Sequence, residues 1–245
     1  MGEGRAASYE AVTYEERNGV AWVTLNRPDV HNAFNGVMAR ELRDIWRGLR
    51  TNDDVRVAVL TAAGEKAFCT GIDRMAAMGG DDTFLEHTGS PFMFEDPGQQ
   101  LGPKSNDLWK PVIAAVNGMA CGGAFYMLGE VDIIIAADHA TFFDPHTTYG
   151  MTTAFEAMLM LQRMPLGEIM RLSLTGNYER MSAERAHQVG LVSEVVPGAE
   201  LGEAARRLAE TIASQPSIAL QGTVRAIWAA QELSRSQALA MGFAF

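Results

Sequence analysis

Ala67-Phe68-Cys69-Thr70-Gly71-Ile72-Asp73 and Asn117-Gly118-Met119-Ala120-Cys121-Gly122-Gly123 each set glycine and small residues directly behind an apolar run of strand character. Where a chain leaves a strand on glycine, its backbone N–H groups can come close to a ligand. In the second segment a helical pattern starts at Gly122-Gly123, so the free N–H groups and positive end of that helix would face the same point. Together the two segments read as halves of an oxyanion hole, in which fixed backbone donors hold the charge that develops on an enolate or tetrahedral oxygen. A single glycine turn between strand and helix is ordinary punctuation, so the decision rests on what surrounds the pair.

Working outward, Val55 to Thr61 reads as the strand that feeds the first segment, and Asp73 as the N-cap of a short helix through Met78. Pro111 to Asn117 reads as strand, Gly122 to Gly129 as helix, Val131 to Ala136 as strand and Thr141 to Phe143 as a further short strand. Upstream, β-rich Ala11 to Glu15 and Val20 to Asn26 flank Asn18-Gly19, a hairpin signal. Met38, Leu42, Ile45, Trp46 and Leu49 then recur at helical spacing. From Gly79 to Ser105 the chain turns to Gly, Asp, Pro, Ser and Gln, a long excursion that is either a lid or pocket wall or a disordered linker. Phe84, Phe92, Phe94 and Leu101 give it apolar groups to bury. From Thr152 onward the pattern is mainly helical, with Leu201, Ala204, Ala205, Leu208 and Ile212 on one face and a break at Pro216.

A chain of 245 residues that is 47% hydrophobic can bury one sizeable core. The formal net charge of −10, spread along the chain, offers no basic footprint for nucleic acid or an anionic membrane. Met1 to Tyr9 lack the apolar run of a signal peptide, and no later stretch is long enough to span a bilayer, so a soluble cytoplasmic protein is expected. Two cysteines, Cys69 and Cys121, make no disulfide framework and read as small side chains filling tight turns. The five histidines are too dispersed for a metal site, and neither a phosphate-binding loop nor a dinucleotide fingerprint is present, so no metal and no separate cofactor are expected.

The two glycine segments keep specific company. Val20-Ala21-Trp22-Val23-Thr24-Leu25-Asn26-Arg27-Pro28 and Asn32-Ala33-Phe34 precede them, and Val131-Asp132-Ile133-Ile134-Ile135-Ala136, Leu174-Thr175-Gly176 and Ala186 to Pro197 follow in order. This set resembles the enoyl-CoA hydratase/isomerase, or crotonase, family over nearly the whole chain. The resemblance implies an α/β fold, a crotonase-like spiral of ββα units over residues 1–195, followed by a C-terminal helical region over 196–245 used for oligomerisation and site closure. It implies an acyl-CoA thioester as partner, coenzyme A entering as part of the substrate, and assembly as a homotrimer or dimer of trimers. It also implies a further turn or more of chain beyond the apolar end at Phe245. The oxyanion donors would be the N–H groups of Ile72 and Gly123. Arg27, His31 and Ala33 would border the phosphates and pantetheine of coenzyme A, Ala67 and Phe68 its adenine, and Gly71 the same ligand. Arg27 and His31 read equally well as solvated charges beside a turn. The methionines between Met151 and Met170, with Phe155 and Leu159, would form core or acyl-pocket wall.

The chain departs from the hydratase pattern where the chemistry is done. Hydratases of this family use two glutamates, and gap-free alignment on Gly123 and Asp132 places Tyr126 and His146 at those positions. His146, in Asp144-Pro145-His146, titrates near neutrality and suits acid/base work at the α-carbon of a thioester. Tyr126 is a donor or a core residue, and Glu130 or Glu156 would replace a lost carboxylate or serve as a cap or surface charge. Asp132 matches a structural position. Three readings stay open: an isomerase, lyase or hydrolase using His146; an acyl-CoA-binding protein without catalysis; and a hydratase with a relocated carboxylate at Glu130 or Glu156.

Overall fold

In a computed structural model that describes residues 5–78, 96, 98 and 100–245, the chain opens with β1 (Arg5–Ser8), β2 (Val12–Arg17) and β3 (Val20–Leu25). Asn18 and Gly19 join β2 to β3 with φ of 53° and 76°, the left-handed pair that a tight two-residue hairpin requires. The helix read from apolar spacing is α1 (Gly36–Leu49), capped by Asn35, whose side chain accepts from the Met38 N–H at 3.0 Å. Its Met38, Leu42, Ile45, Trp46 and Leu49 are buried, and the Trp46 indole donates to the Leu101 carbonyl at 2.9 Å. Leu42 has no exposed surface, so Leu42→Ala leaves a cavity and is expected to cost about 2–5 kcal/mol, read as a lowered denaturation midpoint at unchanged slope.

Three successive strand–strand–helix turns follow. They are β4 (Val57–Ala62), β5 (Ala67–Cys69) and α2 (Arg74–Met78); β6 (Val112–Val116), β7 (Met119–Cys121) and α3 (Ala124–Glu130); and β8 (Ile133–Ala137), β9 (Thr141–Phe143) and α4 (Phe155–Leu161). Each turn contributes its first strand to one sheet and its second to another. Then come α5 (Leu166–Thr175), β10 (Met181–Ser182), α6 (Ala183–Gln188), β11 (Glu194–Val196), α7 (Leu201–Ala213), α8 (Ser217–Glu232) and α9 (Arg235–Met241). The larger sheet runs β1-β2-β3-β4-β6-β8-β11, antiparallel up to β3 and parallel from there. The smaller runs β10-β9-β7-β5, parallel except at β10. This is the crotonase-like spiral of ββα units.

The expected division at residue 195 falls inside a strand. That boundary cuts β11, and α7 beyond it is core: Leu201, Ala204, Ala205, Ala209 and Ala213 bury against Val57, Val59, Ile113, Ala115 and Ile135 of the larger sheet. Beyond α7 the chain contributes little to the core: Val224 is the one buried residue of α8, and α9 has none. The irregular reading of Gly79 to Ser105 falls largely outside the described residues, as do Phe84, Phe92 and Phe94, whereas Leu101 is fully buried. Of the methionines expected in core or wall, Met160 and Met164 are buried, while Met151, Met158 and Met170 are exposed. Asp132 is structural: it accepts from the Val112 N–H, from Lys104 and from the Trp228 indole. No helix among the described residues is long and apolar enough to cross a membrane.

Candidate active site

The smaller sheet positions both glycine segments. Pairing of β5 with β7 sets Ala67 opposite Met119 and Cys69 opposite Ala120, so the turns that leave these strands emerge side by side. Past β5 the chain bends on Gly71 at φ +85° and makes a single bridge to Phe34. The Phe34 N–H donates to the Gly71 carbonyl and the Asp73 N–H to the Phe34 carbonyl, both at 2.8 Å. In a parallel bridge of this kind the residue between, Ile72, turns its own N–H to the opposite side. Past β7 the chain bends on Gly122 at φ +53°, and Gly123 forms the N-cap of α3. Among the described residues, neither the Ile72 nor the Gly123 N–H donates a hydrogen bond. The segments touch: a Cβ added to Gly71 would lie 2.9 Å from the Gly123 nitrogen, and one on Gly123 would lie 2.6 Å from the Phe34 ring. A glycine is therefore required at each.

His146 opens a 3-10 turn (His146–Tyr149) after β9 and stands over the Gly122 bend, its Cε1 3.7 Å from where a Gly122 Cβ would be. Asp144 fixes it twice, accepting from its backbone N–H at 3.0 Å and from Nδ1 at 2.6 Å through the same oxygen. Asp144 is 1% exposed. Burial pushes its carboxyl up, but the His146 donors outweigh burial and hold it below the usual carboxylate range. The hydrogen bond to Asp144 raises His146 above its ordinary value against the opposing effect of burial. With Nδ1 committed to Asp144, Nε2 is the ring nitrogen left to exchange a proton.

Glu156, in the first turn of α4, presents Oε1 3.5 Å from His146 Nε2. It is buried, and burial raises its carboxyl above the ordinary value despite the nearby imidazole. Tyr126 on α3 lines the same cavity, its ring face covered by Gly98, where a Cβ would lie 2.5 Å from a ring carbon. Burial, then the adjacent Asp96, push the Tyr126 phenol far up, so it stays a neutral donor. Phe34, Ile72, Gly123, Tyr126, His146 and Glu156 thus line one cavity, with Arg74 and Tyr149 on the same lining. Asp144, His146 and Glu156 offer ligand atoms within 4.8 Å of one another. Because Asp144 occupies Nδ1, only Nε2 and the Glu156 carboxylate face each other, which suits a shared proton better than a three-ligand metal site.

The other expected site residues lie elsewhere or are already engaged. Glu130, four residues beyond Tyr126 at the end of α3, accepts from the Ser105 N–H at 2.7 Å and hydroxyl at 3.1 Å and is not on the lining of this cavity. Arg27 binds Asp73 at 3.0 Å and the Ala33 carbonyl at 2.6 Å. Ala33, Ala67 and Phe68 are buried, with Phe68 in the main core, and the Ala33 and Ala67 carbonyls already accept from Arg27 and Asn32. His31 occupies a left-handed position, φ 56°, closing the Pro28–Val30 turn. Cys69 and Cys121 are buried, and burial pushes both thiols up to about 12, which makes them inert packing. Asp144 and Arg74 were not assigned from sequence. The first had a signal, a carboxylate two residues before the histidine; the second had none.

The family model described as Enoyl-CoA hydratase/isomerase matches residues 15–242. An (E)-benzylidenesuccinyl-CoA hydratase from Thauera aromatica is 39% identical over 88% of this chain and 81% of its own. A carnitinyl-CoA dehydratase from Proteus mirabilis is 33% identical over 89% and 80%. Among solved structures, an enoyl-CoA hydratase/isomerase from Mycobacterium paratuberculosis superposes with a TM-score of 0.86 at 33% identity, covering 97% of this chain and 88% of the other.

Proposed function

The chain belongs to the enoyl-CoA hydratase/isomerase family, and from that premise we propose that it is a lyase that reversibly eliminates water from a 3-hydroxyacyl-CoA thioester. The thioester oxygen takes the N–H groups of Ile72 and Gly123. Charge that forms there as the α-proton leaves is held by donors already in place, the condition under which such holes contribute most. Glu156 accepts the α-proton, and His146 gives its Nε2 proton to the departing β-hydroxyl, which leaves as water. Afterwards the proton on Glu156 crosses to His146 and restores the starting state; addition of water runs the same steps backward. Tyr126 stays protonated, with its hydroxyl on Asp96, and forms part of the wall beside the bound acyl group.

The observation that carries this reading is the 3.5 Å approach of Glu156 Oε1 to His146 Nε2 on the cavity that holds both free N–H groups. Isomerisation needs one proton-transfer group, whereas elimination needs a base and an acid, and two poised titratable groups supply both. The names of the relatives, a hydratase and a dehydratase, support the same class. The test is mass spectrometry of the protein with saturated, 2-enoyl, 3-hydroxy and β-keto acyl-CoAs in ¹⁸O water. Expected is exchange between enoyl and 3-hydroxy thioesters with ¹⁸O at the β-carbon, falling by at least about 10²-fold in Glu156→Gln. Free acid and coenzyme A as the only products would replace the reading with hydrolysis, and retained ligand without conversion would replace it with binding alone.

A further inference from the structure

Arg74 and Tyr149 face each other across the cavity rim. Arg74 is the first residue of α2, two positions after the Ile72 donor, and Tyr149 ends the turn that begins with His146. The guanidinium carbon lies 4.6 Å from the centre of the Tyr149 ring, and Asn177 Nδ2 reaches the Tyr149 hydroxyl at 3.3 Å from behind. A guanidinium stacked on an aromatic face keeps its in-plane N–H groups free for a planar acceptor. Among the described residues the Arg74 side chain makes no hydrogen bond and no ion pair beside its contact with the Tyr149 ring. Its neighbour Asp73 is taken by Arg27 and by the first N–H groups of α2. Of the other carboxylates on the cavity, Asp96 sits by the Tyr126 hydroxyl and Glu156 by His146. The rest of the wall is largely apolar or aromatic, with Phe34, Ile72, Tyr126 and Met151.

We propose that Arg74 selects acyl-CoA thioesters whose acyl chain carries a carboxylate beyond the β-carbon. The substrate class is then a dicarboxylic acid held as its mono-thioester. One end is read by the Ile72 and Gly123 N–H groups and the other by the Arg74 fork, which suits a carboxylate bidentately. This rests on the thioester reading given above, and the test separates the two.

Equilibrium binding compares valeryl-CoA with glutaryl-CoA, two saturated thioesters of equal chain length that differ by the terminal carboxylate. Wild type is expected to hold glutaryl-CoA roughly 10–100-fold more tightly, the size of a charge-assisted hydrogen-bonded contact, and Arg74→Gln to erase the difference while leaving valeryl-CoA unchanged. In turnover, the ratio of kcat/KM for glutaconyl-CoA over pent-2-enoyl-CoA should fall by the same factor. Arg74 is exposed, so the variant is expected to fold as wild type, checked by its circular dichroism. Equal affinity of wild type for the two thioesters overturns the proposal. So does an equal weakening of both by Arg74→Gln, which would put the guanidinium against the coenzyme A phosphates. A glutaryl-CoA preference without any turnover keeps the selectivity and removes the lyase assignment, and failure of both thioesters to bind removes both.

Discussion

His146→Ala is expected to lower kcat by roughly 10²–10⁴-fold, with acyl-CoA affinity within about threefold of wild type. The imidazole supplies the acid of the elimination and returns the proton from Glu156, while the oxyanion donors and the cavity wall, which hold the thioester, do not depend on it. A loss confined to KM would mean that His146 only packs against the ligand. The pH profile carries a second signature. Asp144 raises the His146 pKa, so the limb that reports loss of the imidazolium lies above the ordinary histidine value of 6.5. Asp144→Asn keeps an oxygen for the backbone N–H but removes the negative charge. The imidazolium then loses its stabilising partner, and that limb should move to lower pH. A limb unmoved by Asp144→Asn would show that another group titrates there.

Gly71→Ala should be nearly as damaging by a different route, about 10²–10³-fold in kcat, the cost of losing one oxyanion donor. The new methyl carbon would sit 2.9 Å from the Gly123 nitrogen and cover the N–H that should face the thioester oxygen. It would also force a side chain onto φ +85°, a strain of about 1–2 kcal/mol. Gly190→Ala separates the two effects. Gly190 has φ +89° with nothing within 4 Å of an added Cβ, so it should lower stability comparably and leave kcat unchanged. Thermal melts and steady-state rates on the two variants give the comparison; equal loss of activity in both would reduce the Gly71 effect to backbone strain.

What was legible in the sequence was local. Asn18-Gly19 announced its hairpin because few residues accept two consecutive left-handed positions, and α1 announced itself because Met38, Leu42, Ile45, Trp46 and Leu49 all fall on one face. The strands β5, β7, β10 and β11 were not read, since two or three residues carry no periodicity and are strands only through partners far along the chain. The apolar stripe of α7 was read, but not that it covers the larger sheet, which depends on where the spiral has placed that sheet. At the site, both glycine segments were recognisable, while the choice between Glu130 and Glu156 was not. Helical spacing puts Glu130 on the face of Tyr126, yet α3 ends there and the side chain swings to Ser105. Glu156 is brought to His146 by a ten-residue passage with no regular pattern over its second half, so nothing in the sequence measures that approach.

The proposed oxyanion donors belong to the bends that leave two paired strands, whereas the proposed proton-handling groups hang from a 3-10 turn and the first turn of a separate short helix. On the proposed function, thioester activation and choice of reaction are therefore held by different parts of the molecule. A library randomised at positions 126, 144, 146 and 156 alters no strand of the smaller sheet and neither of the bends that present the donors. Such a library is a starting point for directed evolution of new acyl-CoA chemistries on an anchor that every member inherits intact.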